Sequence, residues 1–203
     1  MTWTMTEAYK ALKSDPVMKE VIRFTGKLEE VGHKDLFTSL LRSIVGQQLS
    51  GKAADTIWSR FIALFPRKKP TADALLAIDI ELLRGAGLSY QKAGYLKNIA
   101  LFSKEQTLDY RKLHTKTDEE LIDYLTSIKG VGKWTVEMIL IFTLNRQDVF
   151  PLDDLGIQQA MAKLFNLRKT GKELKKEMLK RSTVWAPYRS LATRHLWNWK
   201  DNQ

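Results

Sequence analysis

The chain predicts an all-α protein. Three observations carry this. Apolar residues recur at helical spacing through nearly the whole length, no convincing series of alternating strands is present, and capping residues and helix breakers punctuate the pattern. With 203 residues, 44% of them hydrophobic, the chain can bury one substantial core, or two small lobes that share a cleft.

The helices follow in order. Residues 6–13 and 16–24 read as two short helices, with Pro16 suited to a first turn. Residues 35–48 are stronger: Leu36, Phe37, Leu40, Leu41, Ile44 and Val45 make one apolar stripe. The stretch 46–51, Gly-Gln-Gln-Leu-Ser-Gly, breaks it, and Ser50 is placed to cap a helix over 52–65. A basic loop at 67–70 follows, then short helices at 71–78 and 80–84 and a longer one at 90–104. Thr117 and Glu120 have the spacing of a capping box and open a helix through Leu121, Leu125 and Ile128 that ends at Gly130. A very apolar helix spans about 133–144, and helices at 155–165, 172–180 and 188–199 complete the chain. No low-complexity linker separates domains.

Composition limits the function. The net charge of +10 suits a partner of nucleic acid through phosphate neutralisation, although a basic surface alone is also compatible with no special partner. There is no cysteine, which excludes disulfides, thiolate chemistry and Cys-ligated zinc or iron–sulfur centres. The N-terminus lacks a cationic region followed by an apolar run, so no signal peptide is expected. No apolar run reaches the roughly 20 residues that span a bilayer. A soluble, cytoplasmic monomer without a membrane partner is therefore expected, nucleoid-associated in a bacterium and nuclear in a eukaryote. His33, His114 and His195 show no metal-ligand spacing and read as structural or surface residues.

Two stretches hold the candidate chemistry. Lys129-Gly130-Val131-Gly132-Lys133 is a glycine-turn between helices. Its glycines permit conformations that side chains forbid, and the following helix start directs N–H groups and its positive dipole end outward. A phosphate site with Lys129 and Lys133 beside it is one reading; a plain helix connection is the other. Phe150-Pro151-Leu152-Asp153-Asp154 delivers two carboxylates to a helix start. A cap explains one of them, which leaves the other for chemistry.

Together these stretches resemble the helix–hairpin–helix DNA glycosylase superfamily. Gly132-Lys133-Trp134-Thr135, Asp148 to Asp154, the stretch Ile44 to Ser50, and Trp185-Ala186-Pro187-Tyr188-Arg189-Ser190 are similar to its alkylation-repair branch, DNA-3-methyladenine glycosylase II. The resemblance covers roughly 35–199.

That resemblance implies a two-lobed helical glycosylase fold across 1–203, with a cleft between the lobes. The middle lobe would take in about 36–115, the hairpin and Asp segment about 118–165, and the N- and C-terminal helices would form the second lobe. The residues ahead of Asp35 are too few for the N-terminal α/β domain of some relatives. Asp154 is implied as catalytic, with Asp153 as the helix cap. The carboxylate would stabilise positive charge developing on the deoxyribose and orient or deprotonate the attacking water.

Trp134 stands where strand-nicking relatives carry a lysine, twenty positions before Asp154. An indole forms no Schiff base, so a monofunctional enzyme is expected, with Lys133 reopening the question if the register shifts. Trp134, Trp197, Tyr188 and Met138 are the base-pocket candidates, since electron-rich rings suit a cationic alkylated purine. Base flipping needs a wedge, which falls on Gln48, or on Leu49 one register away. Lys129, Gly130, Val131, Gly132 and Lys133 would grip the DNA backbone. The backbone carbonyls of Thr126, Ile128 and Val131 would hold a structural Na+ or K+; no other cofactor is implied.

The expected activity is excision of 3-methyladenine and 7-methylguanine from damaged double-stranded DNA. The alternatives are a non-catalytic DNA-binding module and a bifunctional glycosylase/lyase for oxidised bases.

Overall fold

The computed structural model describes residues 4–30, 35–49 and 51–203. Thirteen α-helices, and no strand, are found among the described residues. No helix there is long and apolar enough to cross a membrane. Ser50 and His33 lie outside the described residues, so the predicted Ser50 cap does too.

Helices α1 (Met5–Leu12) and α2 (Pro16–Thr25) come first. Thr4 and Glu7 close a capping box on α1, and Asp15 caps α2 ahead of Pro16. The run α3 (Leu36–Gly46), α4 (Gly51–Ala63), α5 (Ala72–Ala77), α6 (Ile80–Gly85) and α7 (Tyr90–Glu105) follows. Asp35 stands outside α3 as its N-cap, accepting from the Thr38 amide at 2.7 Å. The basic stretch after α4 holds a 3-10 turn, Pro66–Lys68. Then come α8 (Tyr110–Leu113), α9 (Asp118–Thr126) and α10 (Lys133–Phe142). Helix α8, a single turn capped by Asp109, has no apolar periodicity and escapes sequence reading. Helix α10 stops at Phe142, short of the expected Leu144. Finally α11 (Leu155–Leu164), α12 (Gly171–Ser182) and α13 (Arg189–Asp201) close the chain.

The chain divides into two compact units. One joins Met1–Gly32 to Asn145–Gln203, and the other is His33–Leu144. In the first, α2 and α11 pack on α13, and α12 packs on α11. Their apolar faces meet around Met18, Val21, Ile22, Ile157, Met161 and Trp185. In the second, α3 packs on α4, α7 and α10, α5 and α6 pack on α7, and α9 packs on α10. Leu40, Leu41, Ile44, Phe61, Leu96 and Leu140 are buried there.

The stretch 118–165, expected as one segment, is divided between the units. Helix α10 buries Val136, Ile139 and Leu140 in the second unit, whereas α11 buries Ile157, Ala160 and Met161 in the first.

Candidate functional site

In the unit His33–Leu144, α9 and α10 form the hairpin. The Thr117 hydroxyl accepts from the Glu120 amide at 3.1 Å, and the Glu120 carboxylate accepts from the Thr117 amide at 2.7 Å. This capping box fixes where α9 starts. The turn closes with Val131 donating its N–H to the Ile128 carbonyl at 2.9 Å.

The two glycines of the turn do different jobs. Gly130 has φ +103, and a Cβ there would lie 2.2 Å from the Tyr95 ring. It is needed both for its conformation and for a close approach. Gly132 has φ −95, ordinary extended backbone, and a Cβ there would meet nothing within 4 Å. Its part is to keep the start of α10 open. No side chain caps that helix, so its first N–H groups face the approach. Lys129 and Lys133 are exposed beside it, with Lys133 3.9 Å from Glu137.

Trp134, Met138 and Phe142 follow at four-residue spacing on α10, along one side of the helix. Trp134 is 38% exposed. Met138 and Phe142 line a cavity of about 500 Å³ together with Thr38, Ser39, Ser43 and Trp58. Trp134 is not among its lining residues.

The loop between α3 and α4 carries the wedge candidates. Gln48 sits in the left-handed region at φ 59 and is exposed. Leu49 beside it is exposed as well. Gln47 does the opposite: its side-chain amide donates to the Thr135 hydroxyl at 3.1 Å. The Lys92 ammonium, from the first turn of α7, donates to the carbonyls of Val45 at 2.9 Å and Gln47 at 2.7 Å. Burial pushes the Lys92 pKa below the usual lysine value.

In the unit formed by the chain ends, the helix cap falls on Asp154 and not, as expected, on Asp153. The N-cap of α11 is Asp154, whose Oδ1 accepts from the Ile157 amide at 2.7 Å. Asp153 does not cap. It is exposed and pairs with Lys175. The turn settles this. Asp154 donates its own amide to the Pro151 carbonyl at 3.1 Å, which leaves residue 154, not 153, as the last non-helical position.

Capping and a candidate catalytic role therefore fall on the same carboxylate. Asp154 is 8% exposed. Its Oδ1 also accepts the Trp197 indole N–H at 2.9 Å. Gly156 makes room for this, because a Cβ there would lie 3.1 Å from Asp154 Oδ1 and 3.3 Å from Trp197 Cδ1. Tyr188, the N-cap of α13, packs at the edge of the apolar cluster that contains Trp185.

A further pair, not singled out from sequence, supports the loop before Asp154. Arg189 donates Nε to Asp148 Oδ1 at 2.6 Å and Nη2 to Oδ2 at 2.8 Å. This fork-to-fork bond raises the Arg189 pKa further. The Ser190 hydroxyl accepts from the Val149 amide at 3.0 Å, and the Ser190 amide donates to the Gln147 carbonyl at 2.9 Å. The sequence held one signal, an Asp and an Arg each inside a motif stretch, but nothing local linked them. A larger cavity of this unit, about 660 Å³, lies along α1 and α2 among Lys10, Lys13, Lys19, Arg23 and Lys27, and Asp154 does not line it.

The chain is similar to known proteins in sequence and fold. The pattern of the HhH-GPD superfamily base excision DNA repair protein matches residues 41–187. DNA-3-methyladenine glycosylase 1 of Schizosaccharomyces pombe is 36% identical over 188 residues, 90% of this chain and 82% of that protein. The solved 3-methyladenine DNA glycosylase of Schizosaccharomyces pombe in complex with abasic DNA gives a TM-score of 0.85 at 36% identity, over 94% of this chain and 95% of that one. A DNA-3-methyladenine glycosidase from Bacillus halodurans gives 0.81 at 31% identity, over 95% and 88% of the two chains. The all-α fold and the resemblance read from the sequence are both borne out: the chain belongs to the HhH-GPD superfamily of base excision DNA repair proteins.

Proposed function

We propose that this protein is a monofunctional DNA-3-methyladenine glycosylase that flips alkylated purines, 3-methyladenine and 7-methylguanine, out of duplex DNA and hydrolyses the N-glycosidic bond. The observation that carries the reading is the Asp154 carboxylate, buried at the start of α11 and fixed on Oδ1 by the Ile157 amide and the Trp197 indole. Glycosidic cleavage builds positive charge on the deoxyribose. An oriented carboxylate stabilises that charge most when it need not reorganise. The same group aligns the attacking water.

The other parts follow from this reading. The unblocked start of α10 and the exposed Lys129 and Lys133 suit phosphate contacts without sequence readout. The exposed Gln48, with Leu49 beside it, suits the gap left by a flipped base. Trp134 offers aromatic surface to a cationic leaving base. Its indole also stands in place of a Schiff-base lysine, so the product is an abasic site.

The carbonyls of Thr126, Ile128 and Val131 would offer a neutral, all-oxygen set, which suits a monovalent cation better than a divalent one. Among the described residues there is no group of three acidic or histidine side chains to hold a metal ion. Such a cation would brace the hairpin. The protein acts as a monomer where the DNA is.

The test is base release from methylated duplex DNA, with strand nicking scored before and after alkali, for wild type and Asp154→Asn. Asn caps a helix as well as Asp, so this variant keeps its fold and its DNA binding. It should lose base release by at least about 100-fold. Undiminished release from the variant removes Asp154 from the chemistry. Nicks without alkali would assign the bond-breaking step to Lys133 and a lyase.

A further inference from the structure

Helix α7 shows one row of side chains to both of the loops assigned to DNA. Lys92, Tyr95 and Asn98 follow at three-residue spacing, so they share a face. Lys92 holds the α3–α4 loop through the carbonyls of Val45 and Gln47. Tyr95 lays its ring against Gly130 so closely that no Cβ fits between them. Asn98 donates its side-chain amide to the Lys129 carbonyl at 3.0 Å. Gln47 closes the circuit from the other side, through the Thr135 hydroxyl in the first turn of α10. The exposed tip, Gln48, follows directly on the anchored Gln47 and keeps a left-handed backbone that a non-glycine residue adopts only under constraint.

The choice of lysine is informative. The last carbonyls of a helix have no intrahelical partner and mark its negative dipole end. Val45 and Gln47 supply two such oxygens. An ammonium carries three donors and a charge to meet them, and charge-assisted bonds of this kind are about twice as strong as neutral ones. An apolar or neutral side chain at position 92 would leave the carbonyls to water and the loop to its own preferences.

We propose that Lys92 is a positioning residue for base flipping: its ammonium fixes the α3–α4 loop against α7, so that Gln48 is presented at a set distance from the hairpin. This rests on the reading of Gln48 as the wedge. DNA gripped at the hairpin then meets a side chain already in place, and insertion does not have to wait for the loop to order.

The experiment uses a duplex with a tetrahydrofuran abasic residue beside 2-aminopurine, whose fluorescence reports a side chain entering the stack. Wild type, Lys92→Met, Lys92→Arg, Gln48→Ala and the Lys92→Met/Gln48→Ala double variant are compared. Thermal melting and the salt dependence of binding to undamaged duplex serve as controls. Lys92→Met should slow insertion, and single-turnover release of 7-methylguanine, by about 10-fold or more. Binding to undamaged DNA should stay within about 2-fold, because the hairpin is untouched. Lys92→Arg should recover most of the rate, and the double variant should lose no more than Gln48→Ala alone.

If Gln48→Ala slows insertion and Lys92→Met does not, the inference about Lys92 is overturned and the wedge stands. If Gln48→Ala leaves insertion unchanged, the wedge reading falls and takes the inference with it. If Lys92→Met weakens binding to undamaged DNA as much as it slows insertion, or if Lys92→Arg fails to rescue, Lys92 is a structural residue only.

Discussion

Trp197 donates its indole N–H to Asp154 Oδ1 at 2.9 Å, and the two residues stand 43 positions apart in the chain. The bond joins the last helix to the start of α11. It also gives an aromatic ring a duty other than stacking: Trp197 orients the carboxylate assigned to catalysis.

Trp197→Phe keeps the ring and removes the donor. A hydrogen bond to a charged group contributes about 1.5–3 kcal/mol, so single-turnover base release should fall by about 10- to 100-fold. Gly156→Ala should act in the same direction without touching either partner, because its Cβ would press on both at once. Stopped chemistry on methylated DNA checks both variants. A rate within 2-fold of wild type for Trp197→Phe would reduce that residue to packing.

The hairpin glycines should separate under mutation. Gly130→Ala combines a left-handed backbone with a collision against Tyr95, two penalties of about 1–3 kcal/mol each. It should lower the melting temperature sharply. Gly132→Ala meets no clash and needs no unusual φ, so its melting temperature should stay within about 2 °C of wild type. The added methyl lies where a phosphate would approach the α10 amides, so affinity for duplex DNA should still drop. Calorimetry paired with a binding titration distinguishes the two effects.

His195 makes folding sensitive to mild acid. It is fully buried, its Nδ1 lies 2.6 Å from the Thr25 hydroxyl, and burial lowers its pKa from 6.5 to about 4. The Thr25 hydroxyl already donates to the Val21 carbonyl at 2.9 Å, so it accepts from a neutral ring protonated on Nδ1. Between pH 6.5 and 4 the unfolded chain binds a proton that the folded one refuses, so stability falls as pH falls through that window. From pH 7 to pH 5 this group should cost about 2 kcal/mol. Urea unfolding at the two pH values should show that loss in wild type, and His195→Phe should remove most of it.

What the sequence revealed was mostly local. The Thr117 capping box, the Gly130 turn and the Phe150 to Asp154 delivery were all visible because their partners lie within a few residues. The division of labour between Asp153 and Asp154 was not. Both satisfy the same cap preference, and only the turn closed by the Pro151 carbonyl selects Asp154. The bracing residues were out of reach for another reason. Lys92 meets Val45 across 47 positions, and Arg189 meets Asp148 across 41. A lysine in a helical first turn and an arginine at the start of a helix look like ordinary solvated charges until the fold brings their partners.

The unit that holds Asp154 is built from both ends of the described chain, and this bears on how the protein is made. Thr25 and His195 touch across 170 positions. A ribosome releases α2 long before α13 exists, so Val21 and Ile22 leave the exit tunnel without the surface that will cover them. The contiguous stretch from 33 to 144 suffers no such delay and can condense as it emerges. Loop closure is easier once that stretch has become compact, because the tether between the two ends of the other unit is then short. The hairpin of α9 and α10 is thus complete early in synthesis, and the carboxylate gains its indole partner only when the last helix is in place.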